Sequence, residues 1–288
     1  MKRRLFVCLA AAAAFSSGAA SAAEPATKSR VLTSHPVVHA LSAQLAQGSG
    51  IEVVRAAPAR LPPARQVAYF EGRGAAALAK VAADADAAIG LRSLWPQDPL
   101  YPLARRTNIR VVEIDAARPV DGALPGLALQ PGADIGSYPW LHTVNLGRMA
   151  DIVGGEMERL VPGAAPAVAR NLAALKQRLV ALSAKTESDL LSAPNVAVIS
   201  LSPRLDHFVA GFNLEPVRVA ENIDADALTR VIRREQVAVV LHHEELAPEL
   251  ARAVTAAGAT VVVVETAGED PVSEIEGNAR RLVQALRP

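Results

Sequence analysis

The sequence has 288 residues, 51% of them hydrophobic, with 30 Lys and Arg against 29 Asp and Glu. That near-neutral balance argues against nucleic acid or an anionic membrane as partner, since both require a basic excess. A single cysteine, Cys8, leaves stability to buried cores rather than disulfides.

At the N-terminus Met1-Lys2-Arg3-Arg4 is followed by an apolar run over residues 5–15 and by small residues through Ala23. A basic start, a short apolar stretch and an Ala-Ser-Ala-Ala end are the parts of a cleavable secretory signal, here residues 1–23. The run is too short to cross a bilayer comfortably. Cys8 lies early within it, not at its end, where a lipid-attachment cysteine would sit. The expectation is an exported, unlipidated periplasmic product of roughly 265 residues, ample for two small domains.

Short β-branched runs then alternate with Ala/Leu-rich stretches. Strands are expected over 31–34, 51–55, 85–91 and 109–114, and again over 196–201, 216–220, 237–242 and 260–265. Apolar strands separated by helices indicate parallel sheets covered on both faces. Between the two sets, from Val144 to Leu191, apolar residues recur at helical spacing, as at Leu172, Leu175, Leu179 and Leu182. Val161-Pro162-Gly163 interrupts that stretch once. The expected fold class is α/β: two Rossmann-like parallel-sheet lobes joined by one long rigid helix, with a ligand cleft between them. The implied domains are residues 24–143, a linking helical segment 144–191, and residues 192–288. A helical joint of this kind predicts small lobe movements.

Ligands of open α/β sheets bind beyond the carboxyl ends of the strands. In the first lobe those ends offer His35, then Arg92 and Trp95, with Tyr138, Trp140 and His142 at the lobe junction. In the second they offer Arg204, Asp206 and His207, then His242, His243 and Glu244, then Glu265. Five of the six histidines fall at such places, and imidazole with carboxylate suits zinc or manganese. Each residue also has a plainer reading. His35 can cap a helix, His39 can sit on a helix surface, Tyr138 and Trp140 can pack the junction, and Asp206 and His207 can be solvated. His242 and His243 are neighbours on or after a strand, so at most one is expected to face the cleft, His243 being preferred.

These residues resemble the solute-binding proteins of zinc/manganese-type ABC importers across essentially the whole exported chain. The best local match is Trp140-Leu141-His142-Thr143-Val144-Asn145, followed by Met149-Ala150; the family reads roughly His-x-Trp-Leu-Asp-Pro-x-Asn, then Met-Ala. Ala83-Asp84-Ala85-Asp86 resembles the family's Ala-Asp strand entry, His207-Phe208 with Gly211-Phe212-Asn213-Leu214 a Tyr-Phe…Tyr-Gly-Leu segment, and Val263-Val264-Glu265 the strand ending in an aspartate ligand. The family's usual site is three histidines and one carboxylate. Its first histidine has no counterpart in residues 62–70, its second aligns with Tyr138 and its third near Ser202, while His142 takes the aspartate position and Glu265 alone keeps its chemistry.

The resemblance implies a periplasmic receptor that captures zinc or manganese as transported ligand and delivers it to an ABC permease in the inner membrane. Metal ligands are expected among His35, His142, His207, His243 and Glu265. Tyr69, Arg73, Arg92, Trp95, Tyr138, Trp140 and Arg204 are expected to line the cleft. Arginines beside aromatics keep a chelated metal or an anionic organic ligand open as cargo, and the altered ligand set keeps open a ligand-free accessory role. No enzyme is expected and no catalytic cofactor: the exported chain lacks a thiol, a Gly-x-Ser-x-Gly elbow, a Walker loop and a His-Glu-x-x-His pair. Gly72-Arg73-Gly74-Ala75-Ala76-Ala77 only loosely imitates a dinucleotide fingerprint. The partners expected are a small inorganic ion or metal complex and the permease, with no nucleic acid, and the protein is expected to be a monomer.

Overall fold

A computed structural model describes residues 29–287; the secretory-signal reading at 1–23, with Cys8, lies outside the described residues. Lobe one is built from β1 (Arg30–Thr33), α1 (Pro36–Leu45), β2 (Glu52–Arg55), α2 (Pro63–Glu71), α3 (Ala75–Ala82), β3 (Ala87–Gly90), α4 (Leu100–Thr107) and β4 (Val112–Asp115). Its sheet is all parallel in the order β2-β1-β3-β4. Lobe two contains β5 (Ala197–Ser200), α7 (Asp206–Gly211), β6 (Glu215–Pro216), α8 (Ala225–Glu235), β7 (Val239–His242), α9 (Pro248–Ala256), β8 (Thr260–Val263) and α10 (Pro271–Leu286). Its parallel order is β6-β5-β7-β8. Between the lobes run α5 (Thr143–Leu160) and the 26-residue α6 (Ala165–Leu190), close to 40 Å long at about 1.5 Å per residue.

Period-two alternation decides which core each strand residue enters. In β1 and β3, Val31 and Ile89 face the central core, whereas Leu32 and Ala88 face an outer core with Phe70, Leu78 and Leu100. In β5 and β7, Val198, Val239 and Leu241 face the centre, and Ile199 and Val240 the outer core with Leu228 and Val254. Helices on both faces bury the inner strands β1, β3, β5 and β7, which read as apolar, whereas the outer strands β2, β4, β6 and β8 keep exposed residues such as Glu52, Val112 and Thr260.

The central core is continuous. Val31 and Ile89 of lobe one, Leu146 and Leu175 of the linking helices, and Val198, Val262 and Ile275 of lobe two belong to a single cluster. Swinging the lobes far apart would expose that cluster to water, which limits such motion. The linking pair is itself tightly joined. Pro162 opens a 3-10 turn over Pro162–Ala164 that reverses the chain, so α6 packs back along α5. At Gly154 the helices approach until a Cβ would stand 3.2 Å from Leu172 Cδ2.

The eight expected strands are present, six displaced by no more than about two residues. The last lobe-one strand is β4, beginning at Val112 rather than 109. In lobe two the expected 216–220 strand shrinks to Glu215–Pro216 at the sheet edge, where Pro216 is tolerated because its neighbours Glu215 and Val217 supply the N–H groups that reach β5. Only Val217 continues the pairing, donating to the Val198 carbonyl at 2.8 Å. Among the described residues no helix is long and apolar enough to cross a membrane.

Candidate functional site

β1 delivers the chain into α1 through His35, and Pro36 opens the helix where a missing N–H costs nothing. The His35 ring is only 3% exposed and stands edge-on to Trp140, with centroids 5.0 Å apart. Its Nδ1 is buried without a hydrogen-bond partner. Burial holds this imidazole down to a pKa of about 3; nearby Arg55 pushes the same way and Glu269 opposes. His39, one turn on, is half-buried and shares a hydrogen bond with Thr33 Oγ1 at 2.9 Å.

Trp140 belongs to a junction made of two 3-10 turns, Ile135–Ser137 and Pro139–Leu141, which meet at Tyr138. Asp134 and Ser137 cap the first turn reciprocally, and Tyr138 is left in the left-handed region at φ 44°. A bulky residue there is uncommon and costs on the order of 1 kcal/mol. The strain sets the Tyr138 ring 5.7 Å from Trp140 and 6.4 Å from His243 of lobe two. Arg204 Nη1 donates to the Tyr138 hydroxyl at 3.4 Å. A file of rings therefore runs His35–Trp140–Tyr138–His243 from one lobe to the other.

β7 ends at His242, so strand alternation no longer separates the two adjacent imidazoles: their rings lie 4.6 Å apart. The His242 Nδ1 lies 3.1 Å from the Glu244 N–H and 2.7 Å from the Glu244 carbonyl oxygen. His243 turns toward Tyr138, with a buried and unpartnered Nδ1. Burial lowers its pKa, and His242 adds to the effect.

His142 and His207 form a second place. His142 caps α5, its Nδ1 accepting from the Val144 N–H at 3.2 Å. His207, in α7, is 2% exposed with an unpartnered Nε2. Burial lowers both pKa values, and the His207 charge lowers that of His142 further.

The remaining expected site residues are placed as follows. The Glu265 carboxylate pairs with Arg281 at 3.1 Å and is 57% exposed, beside Glu245, Gln284 and β8. Its backbone is clamped by Asn278, which accepts from the Glu265 N–H and donates to its carbonyl oxygen, both at 2.9 Å. None of these contacts is a histidine. Arg73 lies over the Tyr69 ring, 5.5 Å from its centroid. Arg92 pairs with Glu113 at 2.7 Å and lies over Tyr101, and Trp95 is buried behind Leu91. The structure thus brings His35, Trp140, Tyr138, Arg204 and His243 together, and places Tyr69, Arg73, Arg92 and Glu265 in partnerships of their own. Among the described residues no three His, Cys, Asp or Glu side chains converge closely enough to hold one ion.

Three residues absent from the sequence reading stand beside this file. Gln66 of α2 is fully buried, donating to the Ser34 carbonyl oxygen at 3.1 Å while its Oε1 has no partner. Arg55 and Glu269 pair across the lobes at 2.7 Å. Arg55 ends β2, so the strand-end rule reaches it; Gln66 and Glu269 follow no strand end directly and carry no such signal.

Neutral imidazoles at a seam between lobes are suited to donate nitrogen lone pairs to a cation. In comparison with known proteins, the model of the family described as zinc-uptake complex component A, periplasmic (ZnuA), matches residues 31–286. No curated protein matches the chain. Zinc(II)-bound AdcA from Streptococcus pneumoniae is similar with a TM-score of 0.65 at 18% identity, over 91% of this chain and 58% of that one. This chain therefore spans little more than half of that protein. The zinc(II)-bound ZnuA-like domain of AdcA gives a TM-score of 0.65 at 19% identity, over 91% of this chain and 100% of the domain. A manganese-bound point mutant of the periplasmic metal binding protein from candidatus liberibacter asiaticus gives 0.66 at 10% identity, over 90% and 100%. At these identities the likeness to the solved structures is one of fold.

Proposed function

The chain belongs to the family of periplasmic zinc-uptake complex component A, and from that premise we propose that it is the cargo-binding protein of a metal ABC importer. It captures a divalent transition metal, zinc or manganese, at the seam between its lobes and delivers it to an inner-membrane permease powered by a separate ATPase. It carries out no chemistry of its own. Residues 24–143 and 192–288 act as the two lobes that hold the cargo and residues 144–191 as the spacer, in an exported monomer.

The observation that carries this reading is the ring file joining the lobes, which ends at each side in a histidine whose buried Nδ1 has no partner, His35 and His243. Burying a polar nitrogen unpaired costs about 1–3 kcal/mol, and a cation that accepts its lone pair removes that cost. Both imidazoles are held neutral, the protonation state that coordinates metal.

A second cargo class is favoured by a different atom. Trp140 Nε1 is also buried and unpartnered, and an indole N–H can only donate. It would suit an oxygen of a chelator bound to the metal. Calorimetric titration of purified, chelator-stripped protein with zinc, then manganese, separates these readings. The expected result is one ion per chain with submicromolar affinity. Absence of binding by either free ion, with binding of a zinc–citrate complex, establishes the chelate. Absence of all binding refutes the metal receptor.

A further inference from the structure

The lobe-two loop that follows β8 is fastened to lobe one. Arg55, the last residue of β2, donates from Nη1 and Nη2 to the two carboxylate oxygens of Glu269 at 2.7 and 2.9 Å. Nη2 also donates to the Ala59 carbonyl oxygen at 2.8 Å. The Arg55 side chain is 14% exposed and that of Glu269 51%, so the strength of the pair rests on its bidentate geometry rather than on burial. Beside it, Gly268 lies against α1 at φ +75°, where a Cβ would stand 2.3 Å from Val37 Cγ2. Behind the loop, Glu274 of α10 accepts from the Gly268 and Glu269 N–H groups at 2.8 and 3.0 Å. Those two bonds fix the backbone that carries Glu269 toward Arg55.

Val37 lies in the first turn of α1, two residues beyond His35. The loop therefore presses on the end of the helix that His35 begins, and His35 keeps its buried, unpartnered Nδ1 there. Arg55 and Glu269 are near enough to act on the His35 charge with opposite signs. Access to that nitrogen by wide lobe opening would tear the continuous central core. Displacing residues 265–270 parts Glu269 from Arg55, lifts Gly268 from Val37 and strains the two bonds to Glu274, while leaving the central core in place.

We propose that residues 265–270 form a gate over His35, latched to lobe one by the Arg55–Glu269 pair and seated by Gly268 on Val37, and that cargo reaches His35 when the latch opens. The assignment of cargo to His35 rests on the metal-receptor reading, whereas the gate itself is testable without any metal. Reaction of the intact protein with diethylpyrocarbonate, mapped residue by residue by mass spectrometry, reports the open population at His35. In Arg55→Gln and in Glu269→Gln the His35 rate should rise about tenfold over the parent, while His207, comparably buried in α7, keeps its parental rate. The exchanged pair, Arg55→Glu with Glu269→Arg, should return His35 toward the parental rate. Gly268→Ala, which props the loop off Val37 without altering charge, should raise the His35 rate as well and serves if the charge variants fold poorly. An unchanged His35 rate in the single variants and in Gly268→Ala overturns the gate. So does a parallel rise at His207, which would mean general loosening, or an exchanged pair that stays open. Zinc titration of the parent protein fails independently: no zinc bound refutes the cargo reading and leaves the acylation pattern intact.

Discussion

Acidification should destabilise the metal-stripped protein through His35 in a way that one substitution removes. In the unfolded chain this imidazole titrates near 6.5, and in the fold burial holds it at about 3. As pH falls through 6.5 the unfolded chain takes up a proton that the native site refuses, so the unfolded state is favoured. The contribution of His35 to stability is therefore fully present above about pH 6.5 and declines steadily as pH falls toward 3. Between pH 7 and pH 5 the linked loss is about 2 kcal/mol, or roughly 4–8 °C in Tm for a chain of this size. His142, His207 and His243 are also shifted down by burial and add a background slope of the same sign. Urea denaturation of the parent and of His35→Gln at a series of pH values isolates the His35 share. The parent should lose about 2 kcal/mol more than the variant over that interval. Parallel pH profiles would refute the assignment of a buried, neutral His35.

Removing the Glu274 carboxylate leaves the Gly268 and Glu269 N–H groups without their acceptor, so Glu274→Ala should lower stability by about 2 kcal/mol, read by chemical denaturation. Trp140, 2% exposed at the junction, should cost about 3–5 kcal/mol as Trp140→Ala and far less as Trp140→Phe, measured the same way. The Glu265–Arg281 pair is exposed, and Glu265→Ala should change stability by less than about 1 kcal/mol; a larger loss would assign the carboxylate a buried partner. Metal affinity should hold at pH 6.5 and decline below it, because burial keeps the candidate imidazoles neutral under milder acid; a full loss of zinc binding between pH 7.5 and 6.5 in calorimetry would contradict this.

The strands were legible because sheets covered on both faces need apolar residues in unbroken runs, and Val31–Leu32 and Val239–Val240–Leu241 serve two cores at once. The interruption of the helical stretch was legible from Pro162, but not the reversal that packs α6 back along α5. β6 was not: its ladder with β5 ends at Val217, although β-branched residues continue to Val219. His35, Tyr138, Trp140, Arg204 and His243, which lie together, each follow a strand end or sit at the lobe junction. What pairs across the lobes has no local signature. Arg55 and Glu269 are 214 positions apart, and only tertiary structure brings them together. Arg92 and Glu265 satisfied the strand-end rule yet face Glu113 and Arg281, because a strand end fixes a residue's position but not the partner its long side chain selects.

The proposed seat of the cargo is the seam between the lobes. Crystals of the zinc-loaded protein, with anomalous data collected on both sides of the zinc absorption edge, test it most directly. A zinc peak about 2.0–2.1 Å from an imidazole nitrogen of His35 or His243 is the predicted result. A loaded protein whose zinc lies at His142 and His207, at Glu265, or at any other place away from the Tyr138–Trp140 junction would contradict it.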